Sequence, residues 1–113
     1  MTELTAPDGS GASALCFGCM QFGGAADEKA SRAMYEACRA EGVNFFDTAY
    51  VYTDGDSERL LGQFAKEERE KLVIATKAAY TGGSGRENIL RHFDESLARL
   101  GMDMVDIFYL HRW

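Results

Sequence analysis

A strand-sized apolar run followed by a helix-sized amphipathic stretch occurs three times in this chain, and the series ends on a fourth run. The runs are Leu15–Cys19, Val43–Phe46, Leu72–Thr76 and Val105–Leu110. The stretches between them run from about Asp27 to Glu41, Ser57 to Arg69 and Arg86 to Leu100. Each run starts roughly 28 to 33 residues after the one before it, the size of one βαβ step. The runs are near-continuous in apolarity rather than alternating, which suits parallel strands covered on both faces. The repeat therefore predicts an α/β fold with a parallel sheet and crossover helices.

The helices are read from period and caps. In the first, Ala30, Ala33, Met34, Ala37 and Cys38 share one face, with Asp27 as N-cap and Gly42 beyond the last turn. The second predicts a buried stripe of Leu60, Leu61, Phe64 and Ala65, with Lys66–Lys71 as a solvated end. The third has Ser84 and Glu87 at capping-box spacing, a stripe of Ile89, Leu90, Phe93, Leu97 and Leu100 facing the sheet, and Gly101 after it. Ahead of the first strand, Pro7-Asp8-Gly9-Ser10 reads as the turn of a small hairpin. Long loops, Asp47–Asp56 and Lys77–Gly85, follow the second and third strands, at the strand ends where such folds bind ligands. The pattern stops at Trp113, directly after a strand that no helix covers, so it predicts a unit cut from a larger one.

Composition narrows the function. Twelve Lys and Arg against eighteen Asp and Glu leave a net charge of -6, which disfavours nucleic acid or an anionic membrane as main partner. No apolar run approaches the roughly 18 residues of a membrane helix, and the first residues lack the pattern of a signal peptide. Three cysteines are an odd set for a disulfide framework. Cys16 and Cys19 form a C-x-x-C pair, but an offset of three along a strand sends them to opposite faces, so they read as small hydrophobes rather than a redox or metal pair. The expected setting is the reducing cytoplasm, with no metal.

Four polar residues fall where the repeat gathers them. Asp47, Lys77 and His111 end the second, third and fourth strands, and Tyr52 lies five residues past Asp47. Neighbouring strands are about 4.8 Å apart, so these side chains meet in one pocket. Together they suit proton delivery to a carbonyl oxygen while hydride reaches its carbon. A Lys77 ammonium favours the phenolate and is expected to draw the Tyr52 pKa down from about 10. Asp47 would anchor that lysine, and neutral His111 would orient the carbonyl. Tyr50 competes with Tyr52 as donor; spacing from Asp47 favours Tyr52 and leaves Tyr50 as packing or pocket wall. Glu58 reads as a helix-dipole partner. Trp113 reads equally as pocket lining or as an uncovered apolar end.

These residues resemble the aldo-keto reductase family over almost the whole chain. G-V-N-F-F-D-T-A-Y-V-Y (Gly42 to Tyr52) with S-E-R-L-L-G (Ser57 to Gly62) matches that family's pattern around its catalytic Asp and Tyr. V-I-A-T-K (Val73 to Lys77) resembles the strand bearing the catalytic Lys, and S-L-A-R-L-G-M-D-M-V-D-I-F-Y-L-H-R-W (Ser96 to Trp113) the helix and strand that deliver the His. The resemblance implies a catalytic tetrad of Asp47, Tyr52, Lys77 and His111 in an NADPH-dependent oxidoreductase that reduces small aldehydes or ketones. F-G-C-M-Q-F-G-G (Phe17 to Gly24) resembles the loop that touches the nicotinamide, which makes Cys19 and Met20, with Asp47, the cofactor-side candidates.

A complete (β/α)8 TIM barrel needs about 250 residues and eight strands. The expectation is thus a partial barrel: residues 1–113 as its N-terminal half, with a hairpin, four parallel strands and three helices. The family's remaining carboxamide and adenosine-phosphate contacts come from later strands, so residues 1–113 alone are expected to be inactive or nearly so. The alternative is a non-catalytic regulatory module, or a half-barrel that self-associates through its exposed strand edges. A flavodoxin-like domain is disfavoured, since it requires a fifth strand.

Overall fold

The computed structural model describes residues 3–112; Trp113 and the role weighed for it lie outside the described residues. The elements follow the repeat: β1 (Phe17–Gly18), α1 (Glu28–Ala40), β2 (Phe45–Asp47), α2 (Asp56–Ala65), β3 (Val73–Ala78), α3 (Arg86–Leu100) and β4 (Ile107–Leu110). The strands form one sheet in the order β1-β2-β3-β4 with every pairing parallel. Chain order and spatial order coincide, as they do when successive βα units wind around a barrel. The expected N-terminal hairpin is reduced to one antiparallel bridge between Thr5 and Gly11.

The strands are shorter than the apolar runs at their N-terminal ends. β1 keeps two residues of Leu15–Cys19, and Leu15 is exposed. β3 is instead longer, because its pairing with β4 continues through Lys77 and Ala78. The ladder also runs past β2: the amides of Thr48 and Tyr50 donate to Ala75 and Lys77 carbonyls at 2.8 and 3.0 Å. That extension carries the chain up to the loop that holds Tyr52.

Two helix faces differ from the periodic reading. In α1 the buried residues are Ser31 and Tyr35, whereas Ala30, Ala33 and Ala37 are exposed. A small methyl face ranks below a phenol that packs 5.0 Å from Phe46 and 5.6 Å from Phe64. In α3 the buried residues are His92, Ser96 and Leu100, and Leu90 is exposed. The capping box is absent as well: Gly85 is the N-cap with no side-chain cap, and Ser84 Oγ donates to the Arg112 carbonyl at 3.4 Å. The segment after β4 thus takes the hydroxyl that the sequence pattern assigns to the helix.

The α2 stripe is as expected. Leu60, Leu61, Phe64 and Ala65 are all buried, joined by Phe22, Tyr35, Phe46, Leu72, Ile74 and Leu100 in one core between sheet and helices. Each large apolar side chain there contributes up to about 1.5–3 kcal/mol. Gly62 is what lets α2 approach α3. A Cβ at this position would stand 2.1 Å from the Leu100 carbonyl oxygen. Lys66–Lys71 continues α2 as a tighter, solvated 3-10 segment, in accord with its mixed charges.

Candidate active site

Side chains alternate along a strand, so neighbours on β3 serve different surroundings. Thr76 points to the helix side. Lys77 points to the open face, where an open groove is lined by Cys16, Gly18, Phe45, Asp47, Lys77, Tyr109, Leu110 and His111. Asp47, the last residue of β2, lies beside it. Lys77 Nζ donates to Asp47 Oδ2 at 2.6 Å, to the Thr48 carbonyl at 2.9 Å and to the Tyr52 hydroxyl oxygen at 3.0 Å. The ammonium therefore spends all three of its protons on fixed acceptors. Burial works against the charge on Lys77, but the bonds to Asp47 and Tyr52 outweigh it and hold the amine above its ordinary range.

Tyr52 comes from a turn rather than from a regular element. Tyr52–Gly55 is one 3-10 turn in which Thr53 and Asp54 adopt left-handed backbone at φ 50° and 54°. Thr53 Oγ1 ties the turn down by donating to the Phe22 carbonyl and accepting from the Ser57 amide at 2.9 Å. His111 follows β4, its amide donating to the Ala78 carbonyl at 2.7 Å. Its ring meets that of Tyr52 edge-on with centroids 5.6 Å apart. The Nδ1 atom of His111 is buried and has no hydrogen-bond partner among the described residues. Burial first, and the Lys77 charge second, push the His111 pKa down, which favours the neutral imidazole. The four residues picked out from spacing, Asp47, Tyr52, Lys77 and His111, share one rim.

The cofactor-side candidates separate. Met20 is 52% exposed, whereas Cys19 is 0% exposed and lies in the apolar core. Cys19 offers no exposed atom to a cofactor. Alternation explains this: Phe17 and Cys19 turn toward the helices, and Cys16 and Gly18 toward the open groove. Burial raises the Cys19 thiol pKa well above its ordinary value, as for an inert core cysteine. All three cysteines are free.

Several participants lack a sequence signal. The Thr48 carbonyl that holds Lys77 is a backbone group, which no motif reports. Tyr80, exposed in the loop after β3, packs edge-on against His111 at 4.9 Å. Glu58 is more than a dipole partner. Fully buried, it accepts from Thr76 Oγ1 at 2.7 Å and pairs with Arg99 at 3.2 Å. Tyr50 is a packing residue, stacked on His92 with centroids 3.7 Å apart. A polar row at i, i+3 and i+7 on α3 (His92, Glu95, Arg99) was the available signal for these last contacts.

The chain is 40% identical over 110 residues to a probable voltage-gated potassium channel subunit beta from Arabidopsis thaliana, covering 88% of this chain and 34% of that protein. It is 32% identical to norsolorinic acid reductase B from Aspergillus parasiticus, covering 89% of this chain and 32% of that protein. The chain thus spans about a third of the length of these relatives. Among solved structures, it superposes on an aldo-keto reductase from Klebsiella pneumoniae in complex with NADPH with a TM-score of 0.81 and 28% identity. That match covers 98% of this chain and 40% of the other. The holo form of an aldo-keto reductase from Bacillus halodurans gives a TM-score of 0.79 at 30% identity, covering 96% and 39%. The fold is accordingly a four-strand, three-helix portion of a (β/α)8 barrel. With residues 14–113 matching the Aldo/keto reductase family profile, the chain belongs to that family.

Proposed function

We propose that this chain is the N-terminal half of an NADPH-dependent carbonyl reductase, with Tyr52 as proton donor, Lys77 and Asp47 as its electrostatic support, and His111 as the group that orients the carbonyl. The observation that carries the reading is the Lys77 ammonium held 3.0 Å from the Tyr52 oxygen by Asp47 and the Thr48 carbonyl. When the phenol gives its proton to a carbonyl oxygen, the phenolate left behind faces a positive charge already in place, with little reorganisation. His111, which lines the groove and whose pKa burial lowers, supplies the neutral polar partner that fixes the carbonyl.

NADPH, when bound, supplies the hydride. The open groove lined by Asp47, Lys77 and His111 supports placing the reacting end of such a cofactor there, since the ammonium and imidazole meet in it, and Met20 is exposed. Asp47 and Met20 are the residues assigned to that end. Tyr52 would give its proton to the carbonyl oxygen as the supplied hydride reached the carbonyl carbon, so that an alcohol would result.

The test is NADPH oxidation by the protein expressed from its full reading frame, with a panel of aldehydes and ketones. Turnover that falls by about a thousandfold in Tyr52→Phe is the expected result; equal rates for the two proteins would overturn the assignment. Residues 1–113 by themselves are expected near background, and robust turnover by them alone would contradict the half-barrel reading. A second reading, a regulatory subunit, rests on the channel-subunit names of relatives at 38–40% identity. Full-length protein that binds NADPH yet turns over no carbonyl would favour it.

A further inference from the structure

The proposed chemistry needs the Tyr52 phenol held against Lys77, yet the turn that carries it includes two left-handed non-glycine residues. What grips this turn from the helix side is the polar row on α3. Residues i, i+3 and i+7 lie on one helix face. His92 stacks on the Tyr50 ring at 3.7 Å, nearly parallel at 8°. Glu95 accepts from the Tyr50 hydroxyl at 3.0 Å. Arg99 donates to the Tyr50 carbonyl at 2.8 Å, and its guanidinium lies 4.3 Å from the centre of the same ring. The same guanidinium packs against Gly55 at the other end of the turn, where a Cβ would stand 2.7 Å from its Cζ. Tyr52 lies between the two points that Arg99 touches.

Arg99 also reaches the other half of the pair. Its Nη1 contacts buried Glu58, whose second oxygen accepts from Thr76, the residue before Lys77 on β3. One guanidinium is thereby tied to the main chain two residues before Tyr52 and, through Glu58, to the strand residue beside Lys77. A planar fork with several donors in fixed directions suits such a bridge, and a lysine ammonium does not reproduce it.

We propose that Arg99, with Glu58 and the His92–Tyr50 stack, is a positioning residue that sets the distance between the Tyr52 hydroxyl and the Lys77 ammonium from the opposite side of the sheet. The inference rests on the reading of Tyr52 as the proton donor. Arg99 touches no reacting atom. Its effect passes through the placement of the turn, and a misplacement of about 1 Å from remote changes can cost on the order of a hundredfold in rate.

The test uses the full-length protein and three variants, Arg99→Met, Arg99→Lys and Tyr50→Leu. Two readouts are taken: kcat and KM with NADPH and 4-nitrobenzaldehyde, and the nuclear Overhauser contacts of the Tyr52 ring to Lys77 and His111. Arg99→Met is expected to lower kcat by about a hundredfold, leave KM within about threefold, and weaken both contacts while the β3 amide shifts persist. Arg99→Lys is expected to recover part of the loss. Wild-type contacts and kcat in folded Arg99→Met would overturn the proposal. If Arg99→Met loses the β3 shifts, Tyr50→Leu decides in the same way, because it removes the gripped ring and keeps an apolar side chain. If the wild-type protein turns over no aldehyde, the carbonyl-reductase reading fails, and the ring contacts alone judge the positioning role.

Discussion

Thr76 and Lys77 are adjacent on β3 and anchor two ionic clusters that differ in almost every respect. On the open face, Lys77 joins Asp47, Tyr52 and His111, with the Lys77 and Asp47 side chains 16% and 26% exposed. On the helix face, Thr76 joins Glu58 and Arg99, with Glu58 fully buried. The open-face cluster keeps a charge beside a groove, where a substrate can meet it. The other cluster is enclosed between sheet and helices, and its charge is spent on holding elements together. Equal chemistry in two dielectric settings thus gives one group of residues suited to reaction and another suited to geometry.

The comparison can be broken most sharply at Lys77. Under the proposed reading, Lys77→Met removes the ammonium beside the Tyr52 oxygen and lowers kcat by roughly a thousandfold or more. Thermal stability should change by far less, since that side of the sheet is open. A steady-state assay paired with calorimetry checks both, and a variant that unfolds without losing kcat per folded molecule would merge the two clusters.

Glu58→Ala is the complementary change. It removes the carboxylate that Arg99 and Thr76 share and leaves Arg99 only the Tyr50 carbonyl, and breaking a buried pair costs about 3–5 kcal/mol, toward the lower figure here because Arg99 is partly exposed. Urea denaturation should show this as a lower midpoint. A loss under about 1 kcal/mol would mean that water replaces the carboxylate and that this face is wetter than its burial implies.

Gly62→Ala tests the close helix contact that brings Arg99 to the turn. The added methyl meets the Leu100 carbonyl, so α3 must move away, at about 1–3 kcal/mol. Unfolding curves and the Tyr52 ring contacts should change together. Unaltered ring contacts would show that the open-face cluster is insulated from α3.

The smallest expected effect is a pH dependence that both clusters share. Burial pushes down the pKa of His92 on the helix side and of His111 on the open side. Each is therefore protonated more readily in the unfolded chain, near pH 6.5. Between that value and the lower folded one, the unfolded state binds more protons, so stability rises with pH and falls as the solution is acidified. Lys77, raised in the folded state, keeps its contribution throughout this range and loses it only above the ordinary lysine range. Urea midpoints at pH 7.5 and 5.0 should differ in that direction, and His92→Gln should reduce the difference. A flat profile would place both rings in water.

Much of this was legible beforehand for reasons that particular residues make plain. The tetrad was readable because strand ends in a parallel repeat must share one rim, so Asp47, Lys77 and His111 were brought together by topology before any side chain was placed. The α2 stripe was readable because Leu60, Leu61 and Phe64 leave only one face to bury. The α1 stripe was not, because alanines satisfy the helical period without needing burial, and Tyr35, whose hydroxyl reaches Glu68, took the core position. That Cys19 faces the core rather than the groove was not legible, because a loop resemblance carries no information about which way a residue turns. Tyr50 and Arg99 form a contact 49 residues apart in the chain. The polar row on α3 marks that face as engaged, but no local pattern names Tyr50 as its partner.

By itself, the sequence determined the order and type of the elements and the family, because hydrophobic period and strand-end chemistry are local and survive in one dimension. The tertiary structure alone decided which side of β3 holds a charge near a groove and which encloses one. It also decided how near Tyr52 comes to Lys77. Both depend on the packing of α3 against the sheet, and distances between remote residues are set by three-dimensional contact rather than by any run of neighbours.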